Sequence, residues 1–98
     1  MGSETEVLLV LANKKGLHAR AAAKFVKVVA QFNARVMVAK IAGAGGGSAQ
    51  EASGGSILGL MMLGAECGAK LRLRLSGAQA AEVGTELRKL VENRFGEE

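Results

Sequence analysis

Tryptophan, tyrosine and proline are absent from the sequence, phenylalanine occurs three times, and cysteine and histidine occur once each. With so few aromatics, the core has to be built from Leu, Val, Ala, Met and Ile, and few platforms exist on which nucleic-acid bases could stack. The single cysteine, Cys67, excludes an internal disulfide framework and a cysteine-based zinc site, and it fits a reducing compartment. No His, Asp or Cys accompanies Cys67 nearby in sequence, so it reads as a structural thiol. Long apolar runs are also missing. The longest near the start, residues 7–12, spans six positions and follows Glu4 and Glu6. That is too short and wrongly flanked for a signal peptide or a membrane span, so a cytoplasmic location without membrane contact is expected. No acid pair, catalytic triad or metal-ligand cluster is visible, and neither a metal nor a cofactor is expected.

What is present is apolar material in a short chain. Its 98 residues make one domain, and 49% of them are hydrophobic, enough for a core near the lower limit of self-sufficient size. The net charge of +4 favours acidic partners or anions but speaks to association and not to fold. Lys and Arg are dispersed and no recognition motif accompanies them, which argues against nucleic acid.

Periodicity gives the element order. Residues 6–11 (EVLLVL) hardly alternate and read as a strand buried on both faces, closed by the turn-like Asn13-Lys14-Lys15-Gly16. Over residues 19–32, Ala22, Val26, Val29 and Ala30 recur at helical spacing, with Lys24, Lys27 and Gln31 between them. No Ser, Thr, Asp or Asn stands where that helix needs an N-cap, so His18 falls at its mouth. Residues 35–41 (RVMVAKI) read as a second strand. The glycine-rich tract 43–55 is too loose to be all sheet, with room for a short strand in 48–53. Ser56 opens a short apolar helix over 56–63, closed by Gly64 and Gly68. Residues 70–75 (KLRLRL) alternate strictly, with Leu71, Leu73 and Leu75 inward. Residues 78–94 carry Val83, Leu87, Leu90, Val91 and Arg94 at helical spacing. Short strands interleaved with helices that cover one face of a sheet define an α+β open-faced sandwich.

His18 stands in Gly16-Leu17-His18-Ala19-Arg20. A helix N-terminus presents unpaired N–H groups and a positive dipole end, both favourable to an anion, and the Arg20 guanidinium suits phosphate oxygens. Positive surroundings favour a neutral, nucleophilic imidazole, able to attack a phosphoryl group and hold it as phosphohistidine. On spacing alone, a surface histidine with no task stands beside that reading. Ser56 reads as a plain N-cap or as a regulatory phosphorylation site. Leu60 and Leu63 fit the core, whereas Ile57, Leu58, Met61 and Met62 exceed what one buried face needs and fit a docking patch. Lys24 and Lys27 form a solvated helix face or steer an acidic partner. The glycine tract lacks the Gly-Lys-Ser/Thr ending of a phosphate loop.

At Gly16-Leu17-His18-Ala19-Arg20, followed by Ala22-Ala23-Lys24-Phe25-Val26, the chain closely resembles the HPr phosphocarriers of the bacterial phosphoenolpyruvate-dependent phosphotransferase system. The segment from Gly55-Ser56-Ile57-Leu58-Gly59 to Leu60-Met61-Met62-Leu63-Gly64 resembles the family's second signature, around its regulatory serine. The resemblance implies a four-stranded antiparallel sheet covered on one face by three helices. It implies phosphorylation of His18 by Enzyme I, charge balance by Arg20, and onward transfer to an Enzyme IIA-type acceptor. It further implies that Ser56 is open to a dedicated kinase and that Ile57, Leu58 and Met61 dock partners, a contact that Ala19, Lys24 and Lys27 beside His18 are expected to share. A monomer is expected, acting as a covalent carrier and not as an enzyme in its own right.

The chain departs from the family twice. Ala21 replaces the usual Pro after the active-site Arg; Ala keeps the helix but leaves the entry around His18 less stiff. The tract 43–55 is longer than the usual connection and would lie at the sheet's edge. The ending Arg94-Phe95-Gly96-Glu97-Glu98 resembles the nitrogen-related branch of the family, which leaves sugar-transport and regulatory carriers both open. The alternative to an active carrier is a regulatory docking module on the same fold, switched by phosphorylation of Ser56.

Overall fold

The computed structural model describes residues 4–41 and 50–97. Strands β1 (Glu4–Val10), β2 (Arg35–Ile41), β3 (Glu51–Ser53) and β4 (Lys70–Ser76) form one antiparallel sheet in the order β1-β4-β2-β3. Helices α1 (Ala19–Val29), α2 (Ile57–Met61) and α3 (Ala80–Glu92) pack over one face, and a 3₁₀ turn (Arg94–Gly96) follows α3. This is the open-faced α+β sandwich expected from the periodicities.

Strand β4 holds the centre because its alternation is strict. Leu71, Leu73 and Leu75 all point into the core with no exposed surface, while Arg72 and Arg74 point the other way. The register sets Leu73 between Val7 and Val38, so side chains from three strands form one apolar row beneath the helices. Phe25 of α1, Leu60 of α2, and Val83, Leu87 and Val91 of α3 close over that row. Gly84 lets α3 approach closely, since a β-carbon there would lie 2.7 Å from Leu75 Cδ1.

On the uncovered face, charge replaces packing. Arg74 donates to both oxygens of Glu51, Nε to Oε2 at 2.7 Å and Nη2 to Oε1 at 2.8 Å, and its Nη1 reaches Glu4 Oε2 at 3.2 Å. Arg74 lies on β4 and Glu51 on β3, so this paired bond reaches across β2 and ties down the three-residue edge strand.

Several expectations need correction. Strand β1 is buried on one face only: Leu9 is covered, whereas Leu8 and Val10 are 58% and 54% exposed. The helices cover a single side, so even an unbroken apolar run must turn every second residue to solvent. Helix α1 ends at Val29 instead of residue 32, and its buried stripe is Ala21, Ala22 and Phe25, while Ala30 is exposed. Phe25, the largest apolar side chain on this helix, takes the centre of the interface and sets the rotation. Helix α3 starts at Ala80 and stops at Glu92, short of Arg94. Arg94 and Phe95 have φ of 55° and 56°, left-handed values that cannot continue a right-handed helix. Cys67 is exposed, not a buried structural thiol. The short strand sought in 48–53 is β3, at the sheet's edge; the rest of the glycine tract through residue 49 lies outside the described residues. No helix among the described residues is long and apolar enough to cross a membrane.

Candidate functional site

The turn after β1 aims the single histidine. Gly16 has φ of 65°, and a β-carbon there would lie 2.4 Å from the Ala65 carbonyl oxygen and 2.7 Å from Glu66 Cα. Only glycine fits this approach. The loop is then fastened by backbone bonds: Leu17 N–H donates to the Ala65 carbonyl at 3.0 Å, and Leu11 N–H donates to the Ala69 carbonyl at 2.9 Å. With the Leu17 side chain buried, the next residue emerges toward the surface immediately before a helix.

That residue is His18, the N-cap of α1, with extended backbone (φ −78°, ψ −179°). Its Nδ1 takes the place of the missing Ser or Asp oxygen and accepts a bond from the Arg20 N–H at 3.3 Å. The first intrahelical bond runs from Ala22 N–H to the His18 carbonyl, so the amides of residues 19–21 have no partner within the helix. His18 therefore faces the positive end of α1, as its place in the sequence indicates.

The other ring nitrogen meets a group that the sequence did not disclose. Nε2 lies 2.5 Å from Oε2 of Glu97, nearly eighty residues away, and both side chains are largely covered. A carboxylate only accepts, so Nε2 carries the proton, and Nδ1, which accepts from the Arg20 N–H, keeps its lone pair. Burial pushes the Glu97 carboxyl up, but hydrogen bonds from Asn13 and His18, with the charge of Lys24, outweigh it and hold it below the usual carboxylate value. Asn13 is fully buried and donates through Nδ2 to Glu97 Oε1 at 3.1 Å and to the Gly16 carbonyl at 2.7 Å. The expectation of wholly positive surroundings for His18 is thus corrected, because a carboxylate from the end of the chain stands against the ring.

Cations line the rest of the site. Lys14, Lys15, His18, Ala19, Arg20, Lys24, Gly96 and Glu97 border an open cleft of about 770 Å³. The structure therefore brings together His18, Ala19, Arg20 and Lys24 from the sequence-based candidates. Lys27 lies on the exposed surface of α1 outside this cleft. Lys14 and Lys15 were read only as a turn, and Glu97 only as part of an acidic ending. Phe95 followed by Gly96 just beyond a helix was the available signal, since that pattern marks a chain reversal.

Ser56 belongs to a separate element. Its Oγ accepts from Gly59 N–H at 2.9 Å and so caps α2. Leu60 and Leu63 are buried as expected, while Ile57, Leu58, Met61 and Met62 remain exposed on a short helix that packs against α1.

The protein is of the α+β open-faced sandwich class, with its single histidine capping the helix after the first strand. Residues 5–93 match the family described as PTS HPr component phosphorylation site. Phosphocarrier protein HPr of Neisseria meningitidis is 41% identical over 87% of this chain and 88% of its own length, and that of Pseudomonas aeruginosa 40% identical over 91% and 92%. The crystal structure of HPr from Thermoanaerobacter tengcongensis superposes with a TM-score of 0.82 at 34% identity, covering 96% of this chain and 98% of that one. The chain belongs to the HPr family of phosphotransferase-system phosphocarriers.

Proposed function

We propose that the protein is a monomeric, single-domain phosphohistidine carrier, in which His18 accepts a phosphoryl group from phosphorylated Enzyme I and passes it to an Enzyme IIA-type protein. The observation that carries this reading is the placement of His18 Nδ1, a lone-pair nitrogen at the mouth of α1, facing the Arg20 amide. Attack by this lone pair forms the Nδ1–P bond as the bond between phosphorus and the donor breaks, the donor keeping that electron pair. The phosphoryl oxygens then meet the amides of the first turn and the Arg20 guanidinium. Return of the Nδ1–P electron pair to the ring as the acceptor attacks phosphorus completes the cycle. The protein turns over no substrate of its own and acts as an intermediate between two proteins.

The exposed residues Ile57, Leu58 and Met61 support a docking surface, because apolar side chains left uncovered on a short helix suit protein contact. Lys24 and Lys27 would steer acidic partners to it. Ser56 is the residue of that surface open to a serine kinase; a phosphate there adds negative charge at the point of contact. This supports the second reading, a docking module switched at Ser56. If Ser56→Asp and Ser56→Ala bind the same partners with equal affinity, that reading falls.

The test of the carrier reading follows the phosphoryl group through two transfers. The protein is incubated with Enzyme I, magnesium and labelled phosphoenolpyruvate, and an Enzyme IIA-type acceptor is then added. Label that reaches the acceptor only when this protein is present is the expected result. Label that never leaves Enzyme I overturns the reading.

A further inference from the structure

The end of the chain is built to hold one carboxylate in one place. Arg94 and Phe95 adopt consecutive left-handed conformations, which non-glycine residues sustain only where their surroundings over-determine them. Here two contacts do so: the Phe95 ring is fully buried in the core, and its carbonyl accepts a 2.5 Å bond from Lys24 Nζ. Gly96, with φ of 74°, then reverses the chain beside Lys24. Glu97 arrives with both oxygens engaged, Oε1 by the buried Asn13 and Oε2 by His18 Nε2.

This carboxylate binds the ring nitrogen opposite the helix mouth. A tail that occupied Nδ1 would block phosphorylation, whereas one on Nε2 leaves the helix side open. It also settles which nitrogen carries the proton, because an ionised carboxylate has nothing to donate. When Nδ1 bonds to phosphorus the ring becomes cationic, and Glu97 lies against the proton that carries this charge.

We infer that Glu97 is a positioning residue for phosphoryl transfer: its carboxylate keeps the His18 proton on Nε2, so that the Nδ1 lone pair faces the mouth of α1, and it balances the imidazolium formed when Nδ1 is phosphorylated. The inference rests on the carrier reading above. A carboxylate on the far nitrogen of a reacting imidazole is a recurrent solution, because loss of that partner lets the ring take the wrong tautomer.

Because His18 is the only histidine, the ring nitrogens of an untagged, ¹⁵N-labelled full chain give an unambiguous spectrum. In the wild type with the ring neutral, Nε2 is expected to show the protonated signature and Nδ1 the lone-pair signature. Glu97→Gln can either accept from or donate to Nε2, so the two tautomers should mix. Transfer from phosphorylated Enzyme I should fall about tenfold or more in kcat with little change in KM, at least the scale seen when a metal-bound histidine loses its orienting partner. Glu97→Asp should restore part of both effects. An active wild type whose tautomer and rate are indifferent to Glu97→Gln overturns the inference, and so does a rate that rises, which would make the tail a blocking cap. A wild type that takes up no phosphate overturns the carrier reading itself, and the role of Glu97 falls with it.

Discussion

The Phe95 carbonyl accepts a hydrogen bond from Lys24 Nζ at 2.5 Å, tying the last turn of the chain to the second turn of the helix that His18 begins. The buried Phe95 ring sits in the same core cluster as Phe25, also of α1. The tail of the chain is thereby fastened to α1 by both a hydrogen bond and a shared core.

Phe95→Ala should test that link. Removing a fully buried aromatic ring costs about 3–5 kcal/mol, and here the loss should also free the two left-handed residues to unwind. Denaturant unfolding should show the lowered stability. In the folded population the His18 ring should show mixed tautomers, as in Glu97→Gln. A stability within about 0.5 kcal/mol of wild type would show that the tail is not anchored by this ring.

Ala21→Pro restores the residue usual in the family. The Ala21 amide precedes the first intrahelical bond, which starts at Ala22, so a proline ring removes no helix bond. The fixed φ of proline should stabilise the fold by about 0.4–1 kcal/mol through the unfolded chain, with phosphoryl acceptance retained. A melting temperature below that of the wild type would mean that the buried site of Ala21 cannot take the ring.

Acid should weaken the sheet's free edge. The hydrogen bonds from Arg74 lower the Glu51 carboxyl from its ordinary 4.5, against an upward push from burial and with help from the charges of Arg74, Arg72 and Arg35. A carboxyl depressed by folding stabilises the folded state above its unfolded value and loses that contribution as pH falls through its folded value. Melting temperature should therefore drop as pH falls from about 5 toward 3, with Glu97 adding a fall of the same sign. The slope should be shallower in Glu51→Gln. An unchanged slope in that variant would remove the Arg74 pairing as a cause.

Leu58 is 68% exposed, so replacing it uncovers little of the core. Leu58→Glu should leave stability within about 0.5 kcal/mol of wild type. It should nevertheless slow transfer from Enzyme I through a raised KM, because the substitution places charge in the apolar contact. Unaltered transfer would locate docking elsewhere.

Most of this architecture was legible before any coordinates. The strict alternation of Lys70 to Leu75 marked the central strand, and Ser56 marked the start of α2 with the bond it makes. His18 at the helix mouth was visible because no better cap stood beside it. What the sequence hid is long-range. Nothing local says that Leu8 and Val10 face solvent, since a one-sided sheet is a property of where three helices pack. Nothing local couples Asn13 and His18 to Glu97 either; that contact depends on two left-handed residues, the first of which, Arg94, periodicity reads as more helix.

The most direct test of the central claim is intact mass after incubation with Enzyme I, magnesium and phosphoenolpyruvate, before and after acid treatment, for wild type and His18→Ala. The account predicts one added phosphoryl group on the wild type, lost in acid, and none on the variant. An acid-stable adduct, or equal uptake by His18→Ala, would contradict it.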